Sequence, residues 1–421
     1  MRTERQRNAG SNILLKRILV SLALLAFVRI GTFLPVPGIE QSYLTYYIQN
    51  SSIARFVNTF SNDNVFVLGL FTLNIFPYIN ASILMQVLVG VIPDLKRLQK
   101  EEGAPGRRKI NQITRFVCLG WAIIQSSSIA IFLKKILFNW NIQLAFEIVI
   151  SLTAGAMIVL WISELITEYG LGNGASLLIF TNIASSLPNL AKSILTESSD
   201  YLNPVSIFLI AVLFFIVMCG IILLQEGSRI IPLISAKQLS QNNPVVSDLP
   251  KNNYIPLRLN QAGVMPIIFT ASILVLPNYL INAGIIPIAT LPFLLKSSKI
   301  IYWVSYFTLI LTFSYFYSTI VLNPKEISED LQKMAVSIPG VPPGKATTYY
   351  LKQIMKRITF IGAFFLAILT TFPNIIEAVL HVSNLKGLGA TSLLILVGVT
   401  LDMTRQIRSV ILSNIYKEML K

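Results

Sequence analysis

Charge is what this sequence has least of. Only 13% of its 421 residues are Asp, Glu, Lys or Arg, where a soluble domain carries about 25%. That shortage excludes an ordinary water-facing globule. Histidine occurs once, as His381, in a connector. An intramembrane protease would want a histidine inside an apolar segment, so that chemistry is excluded too. The two cysteines, Cys118 and Cys219, both lie inside apolar segments. They read as small core residues, not as a disulfide or a metal pair. No HExxH, GxSxG or GxxxxGK[ST] pattern is present. The Gly-rich stretch 170–174 joins two apolar segments, so it is a turn and a helix start. No small-residue cleavage site precedes Pro35, and segment 18–34 is long enough to span a bilayer. The expectation is a chain that is not an enzyme and holds no cofactor or metal.

What the chain has instead is apolar length. Hydrophobic residues make up 54% of it. Ten apolar segments stand out, at 18–34, 72–92, 115–133, 144–163, 174–190, 204–225, 263–285, 300–322, 358–376 and 391–404. Most are near the ~20 residues that span the hydrocarbon core as a helix. The fifth and tenth are short, so they tilt, extend into flanking residues or are shielded by neighbours. Of 34 Lys and Arg residues, 25 fall in alternate connectors, counting both termini. Basic residues stay on the side that is not translocated. Both termini are therefore expected on the cytoplasmic side or its equivalent. The net charge of +15 is explained by this rule without nucleic acid, and no interleaved aromatic signature for RNA appears.

The organisation follows from the count. A division near residue 200 leaves five crossings in 1–200 and five in 201–421, and an odd number per half puts the halves in opposite orientations. The predicted fold class is an all-α polytopic membrane protein: ten transmembrane helices in two pseudo-symmetric, inverted five-helix halves. Two connectors on the basic side, 226–262 and 323–357, are too long to be minimal links and are expected to project. On the other side, connector 35–71 opens Pro35-Val36-Pro37-Gly38 and carries the short apolar run Val65–Leu68. It is either a re-entrant element enclosed by protein or an external loop with a hydrophobic anchor; the pattern alone favours the loop. The second crossing holds Asn74, Pro77, Asn80, Ser82 and Gln86. Polar groups are penalised in lipid, so this helix faces protein or water, and Pro77 is expected to permit a kink. The seventh crossing begins with the similar run Asn260-Gln261-Ala262-Gly263-Val264-Met265-Pro266.

Several runs together resemble the SecY family, the pore-forming subunits of protein-conducting channels. They are Arg29–Gly38, Pro77–Ile83, Gly106–Gln112, Ile166–Gly174, Asn260–Pro266 and Asn323–Glu326, in family order over essentially the whole chain. The resemblance implies a plug within 35–71, including Asn62, Asp63, Asn64, Val65 and Phe66, which reverses the loop reading. It implies a pore waist at Ile75, Ile79, Ala175, Ile179, Ile268 and Ile395. Aliphatic side chains there would yield around a passing chain and dewet a narrow neck. Ala175 departs from the bulky pattern. Gln86 and Asn260 match polar positions of a lateral gate, where interhelical hydrogen bonds of ~0.6–2 kcal/mol suit a gate that must open.

The two long connectors then resemble docking sites for a SecA motor or a ribosome, through Arg229, Lys237, Arg258, Lys345, Lys352, Lys356 and Arg357. The family usually carries arginine in Pro-Gly-x-Arg-Pro-Gly; this chain reads Pro339-Gly340-Val341-Pro342-Pro343-Gly344, with proline at that place. Implied partners are a SecE-like and a SecG-like small membrane subunit, the motor or ribosome, preproteins with signal sequences, and the bilayer. The short tail and the Asn-, Ile- and Lys-rich composition point to a plastid-encoded form in the thylakoid membrane, with a bacterial inner membrane as the alternative. A secondary transporter of a small solute is the runner-up function. It would need paired ionisable groups at the membrane midplane, and none is evident. A non-conducting scaffold is a third reading.

Overall fold

An apolar run in lipid can satisfy its own backbone in one local way, as a helix. The computed structural model describes residues 2–39, 69–101, 103–134, 140–185, 188, 204–235, 254–261, 263, 265–267, 269–270, 299–321, 323–380 and 390–419. Its elements run α1 (Arg2–Thr32), α2 (Phe76–Val91), α3 (Pro93–Glu101), α4 (Gly103–Leu133), α5 (Ile142–Tyr169), α6 (Gly174–Ser185) and α7 (Pro204–Glu226). Then come β1 (Ser228–Pro232), β2 (Ile234–Ser235), β3 (Tyr254–Arg258), α8 (Lys299–Val321), α9 (Pro324–Lys333), β4 (Val336–Ser337), α10 (Lys345–Leu380) and α11 (Ala390–Met419). Every expected crossing except the seventh is met by one of these helices. Most of the seventh lies outside the described residues. The tenth is short only in its apolar part, since α11 runs on through a charged stretch to Met419.

Helix α5 shows why the chain belongs in lipid. It buries Ile148, Leu152, Ala156 and Val159 on one side. On the other it exposes Ile142, Phe146, Ile150 and Trp161, all at least 60% accessible. A helix that is apolar all round is either enclosed by protein or spans a membrane. Four stretches among the described residues are long and apolar enough to cross: Pro105–Ile131, Ile142–Tyr169, Val304–Lys333 and Lys345–Phe372.

Residues 1–196 and 399–421 form one compact unit, and residues 197–398 another. In the first, α4 packs against α2 and α5, and α1 packs on α5. The core joins Leu73, Ala122, Ala130, Leu133, Ile148, Leu152 and Ala156, with Val36 and Ile39 from the start of the 35–71 connector. A hydroxyl pair, Ser126 Oγ to Thr153 Oγ1 at 3.0 Å, joins α4 to α5. In the second unit, α8 and α7 each pack on α10, with a matching pair of Ser318 Oγ and Thr359 Oγ1 at 2.7 Å between α8 and α10. Such pairs let hydroxyls share each other instead of facing hydrocarbon.

The second unit also holds a small body built from both long connectors. Strands β1 and β3 pair antiparallel, Ser228 opposite Arg258 through Pro232 opposite Tyr254, and β2 pairs with β4. The first pairing closes one connector on itself; the second ties it to the other connector. Ile231, Leu257, Leu331, Ile338, Leu351, Ile354, Met355 and Ile358 form the shared core. The ribbon tolerates its two prolines because of register. Leu259 N–H donates to Gly227 O at 2.8 Å, which makes every second pair from there the hydrogen-bonded one. Pro232 and Pro256 fall on the alternate pairs, with the missing N–H facing outward.

A tight approach fixes the entry to α2. The ends of the 35–71 connector meet: Pro35 bridges to Gly69, and Leu70 N–H donates to Leu34 O at 2.8 Å. Residues 70–75 then turn over α5. A side chain at Gly155 would collide with the carbonyl of Leu70, and one at Gly69 with the carbonyl of Thr32. Replacing Gly155 by Leu is expected to cost about 1–3 kcal/mol through overpacking. Thermal unfolding of the detergent-purified protein checks this; an unchanged midpoint would mean that the turn does not lie against α5.

Candidate functional site

The waist positions on α2 are placed by the turn just described. Asn74 adopts φ +46°, a left-handed conformation that Asn tolerates better than most residues. Its side-chain oxygen accepts from Ile75 N–H at 2.8 Å, and its own N–H donates to Phe71 O at 2.9 Å. Ile75 is 1% exposed and caps the helix. Ile79 N–H donates back to Ile75 O at 3.1 Å, so the two isoleucines sit four residues apart on one helix face. This corrects the expectation for Pro77. It stands in the first turn of α2, where its missing N–H would have had no partner. It therefore starts the helix and does not kink it.

On α6 the positions are Ala175 and Ile179, again four apart and both half-buried. Asn173 caps this helix: its side chain accepts from Ala175 N–H at 3.0 Å, and its carbonyl from Leu177 N–H at 3.0 Å. Ile395 is half-buried on α11. Ile268 lies outside the described residues, as do Asn62, Asp63, Asn64, Val65, Phe66 and Lys237. Of the 35–71 connector, only its two joined ends are described.

The two expected gate residues each make a bond within their own segment. Gln86 Nε2 donates to Ser82 Oγ at 3.4 Å within α2. Asn260 Nδ2 donates to Gly263 O at 3.0 Å, closing a turn in which Gly263 takes φ +62°. An ion pair that sequence reasoning missed ties two helices: Arg115 Nε lies 2.7 Å from Glu164 Oε1, joining α4 to α5. The signal was available only as one basic and one acidic residue near the ends of consecutive spans.

The expected docking residues other than Lys237 share the small connector body. Arg229 and Arg258 are exposed on β1 and β3, and Lys345, Lys352, Lys356 and Arg357 are exposed on the first turns of α10. Leu351, Ile354, Met355 and Ile358 occupy the opposite side of those turns. A cavity of about 480 Å³ opens beside Arg258, lined by Leu233, Leu257, Leu331 and Met334, with Gln261 and Asp330. The loop at 339–344 is held rigidly. Thr347 Oγ1 donates to Pro342 O at 2.9 Å, Ser328 Oγ donates to Gly344 O at 2.9 Å, and Gly340 and Gly344 take positive φ. Pro342 itself is exposed at the tip.

The fold and these positions define a polytopic helical membrane protein with an aliphatic set on two helices and a basic extramembrane body. Comparison with known proteins gives the family. The SecY family model matches residues 69–404. A protein translocase subunit SecY of Trieres chinensis is 60% identical over 414 residues, covering 96% of this chain and 97% of that protein. One from Porphyra purpurea is 47% identical over 411 residues, covering 96% and 98%. One from a Synechocystis strain is 42% identical, covering 96% and 94%. The chain belongs to the SecY family. Among solved structures, a protein-conducting channel matches with a TM-score of 0.65 at 19% identity, covering 95% of this chain and 93% of that one. Sec61 in a canine ribosome–channel complex from the endoplasmic reticulum matches at 0.62 and 18%, with the same coverage. These two likenesses establish the fold.

The Asn74 turn can be tested by itself. Asn74→Ala keeps the left-handed backbone at a cost and removes the bond to Ile75, an expected loss of about 2 kcal/mol. Asn74→Gly removes only the bond and is expected to lose less than half of that. Chemical unfolding of both variants compares them; equal losses would show that backbone conformation plays no part.

Proposed function

We propose that this chain is the pore-forming subunit of a plastid protein-conducting channel, which passes unfolded preproteins across a membrane and releases transmembrane segments sideways through a lateral gate. The observation that carries this is identity of 42–60% over nearly the whole chain with subunits named protein translocase SecY. Such relatives lend a small-solute transporter no support. The nearly full-length likeness to a diatom form, with red-algal and cyanobacterial relatives, supports a plastid-encoded protein. Its membrane is the thylakoid, with both termini on the stromal side, in keeping with the basic connectors.

The chain divides functionally into residues 1–200 and 201–421 as inverted five-helix halves. Ile75, Ile79, Ala175, Ile179, Ile268 and Ile395 form the waist. None of these side chains offers a fixed polar partner, so they close against ions yet part for a chain of any sequence. The 35–71 connector supplies the plug, and its two ends are joined at Pro35 and Gly69. Gln86 and Asn260 hold the gate closed. A signal helix binds the open gate preferentially and shifts the population toward it.

The energy comes from partners. A SecE-like subunit braces the channel, a SecG-like subunit accompanies it, and a SecA motor or a ribosome docks on the connector body. Its exposed Arg229, Arg258, Lys345, Lys352, Lys356 and Arg357 suit an acidic motor surface or ribosomal RNA.

A photo-crosslinkable residue at Ile79, with a preprotein stalled during translocation, tests the pore. The expected outcome is crosslinks to the mature part of the preprotein from Ile79 and none from Phe215, which is 68% exposed on α7. Absence of the Ile79 crosslink in an actively translocating preparation would sink the assignment. The docking loop yields a second expectation. Pro342→Arg restores the family's usual residue at an exposed tip whose backbone is already fixed, and is expected to raise preprotein-stimulated ATPase of a bacterial SecA about two- to five-fold, on the scale of one exposed charge contact. No rise would remove this position from the motor interface.

A further inference from the structure

The turn between α5 and α6 is bonded more heavily than a helix connection requires. Helix α5 ends at Tyr169, and Gly170 N–H donates to Ile166 O at 2.8 Å. Gly172, at φ +84°, reverses the chain. The backbone N–H groups that follow are met by side chains from three places. Ser21 Oγ, from α1 and 150 residues earlier, accepts from Leu171 N–H at 2.9 Å. Thr167 Oγ1, from α5, accepts from Gly174 N–H at 2.8 Å. Asn173 supplies the helix cap already described.

Each hydroxyl works in both directions. Ser21 donates to Arg17 O at 2.9 Å, and Thr167 donates to Ser163 O at 2.9 Å. Each thereby locks its own rotamer while it holds the turn. The packing leaves no slack: a side chain at Gly170 would collide with Ser21 Oγ, and one at Gly174 with the carbonyl of Ser163. Ser21 and Leu171 are each 5% exposed, so water cannot substitute for the lost bond.

We propose that Ser21 and Thr167 are positioning residues for the waist, clasping the start of α6 to α1 and α5 so that Ala175 and Ile179 keep their places. This rests on the waist reading above. Ala175 is the second residue of α6, and Ile179 is one turn further on. Any slip or tilt of the first turn moves both together. A seal against ions depends on neighbouring aliphatic groups touching, so a waist with a small residue at 175 has little room for such movement.

The test uses the channel reconstituted with its small partner subunits. Variants are Ser21→Ala, Thr167→Val and Thr167→Ser, with Ile179→Asn as a waist control. Two readouts are needed: hydrogen exchange at the amides of Leu171, Gly174 and Ala175, and the ratio of export of a preprotein with a weakened signal to one with an intact signal. Loss of a hydroxyl is expected to speed local exchange about three- to ten-fold and to raise the export ratio by a similar factor. Thr167→Ser, which keeps the bond, is expected to behave as the parent. Unchanged exchange overturns the clasp. Faster exchange with an unchanged export ratio, while Ile179→Asn raises it, makes the clasp merely structural and overturns the positioning role. An Ile179→Asn variant that leaves the ratio unchanged overturns the waist reading itself, and this inference with it.

Discussion

A peptide N–H buried away from water must be met by the chain itself, and this constraint orders the whole molecule. Within α4, α5, α8 and α10 the helix meets it without help. The difficulty arises wherever a helix must start or stop inside the fold, because the first turn has N–H groups with no partner of their own. At these points the sequence supplies short polar side chains. Asn74 serves the entry to α2, Asn173 serves the entry to α6, and Asn323 accepts from Lys325 N–H at 3.2 Å to open α9. Pro77 removes one unmet donor at the same kind of place. Asn74, Asn173 and Asn323 are thus explained first by backbone demand. A gate or pore role is added to that demand and does not replace it.

The extramembrane body solves a different problem with the same economy. Two connectors that lie outside the apolar segments need a core of their own. They obtain it by pooling apolar residues: Ile231 and Leu257 from one, Leu331, Ile338 and Leu351 from the other. A two-stranded ribbon alone is marginal in water, and here it gains a face of α9 and α10 to lie on. Its prolines face outward, which blunts the edges against unwanted strand pairing. The result is a platform whose exposed side carries Arg229, Arg258, Lys345, Lys352, Lys356 and Arg357 beside apolar Ile230, Met334 and Tyr349.

Much of this could be read from the residues. The apolar runs located the apolar part of each described helix, because span length is a single-segment property, but α1, α4, α10 and α11 run several turns beyond those runs into polar sequence. What could not be read was anything fixed by contact between distant segments. Pro77 looked like a kink because nothing in the run from Thr72 to Ile92 marks a helix start after Thr72; the structure shows the chain turning against Gly155 at Leu70 before the helix begins at Phe76. The β ribbon was missed because Arg229–Pro232 and Ile255–Arg258 are short and interrupted by proline, the very residues that register makes harmless. Ser21 carried no signal at all. A lone serine near the start of an apolar helix is ordinary, and its partner lies 150 residues away.

The contrast between the waist and its supports follows from what each must do. A side chain that closes the proposed waist by contact alone can be exchanged for another aliphatic one, in keeping with the recurrent isoleucines and with the alanine at 175. A side chain that holds a turn by a directed bond cannot be exchanged so freely, since only Ser or Thr places a hydroxyl at that distance from the backbone. Yielding surfaces therefore depend on unyielding mounts. On the proposed reading, a waist that adapts to any passing sequence stands on first turns of α2 and α6 that Asn74, Asn173, Ser21 and Thr167 pin, all by bonds within the first unit. A channel built the other way, with specific bonds across its neck and loose helix starts, would recognise particular substrates and leak between them.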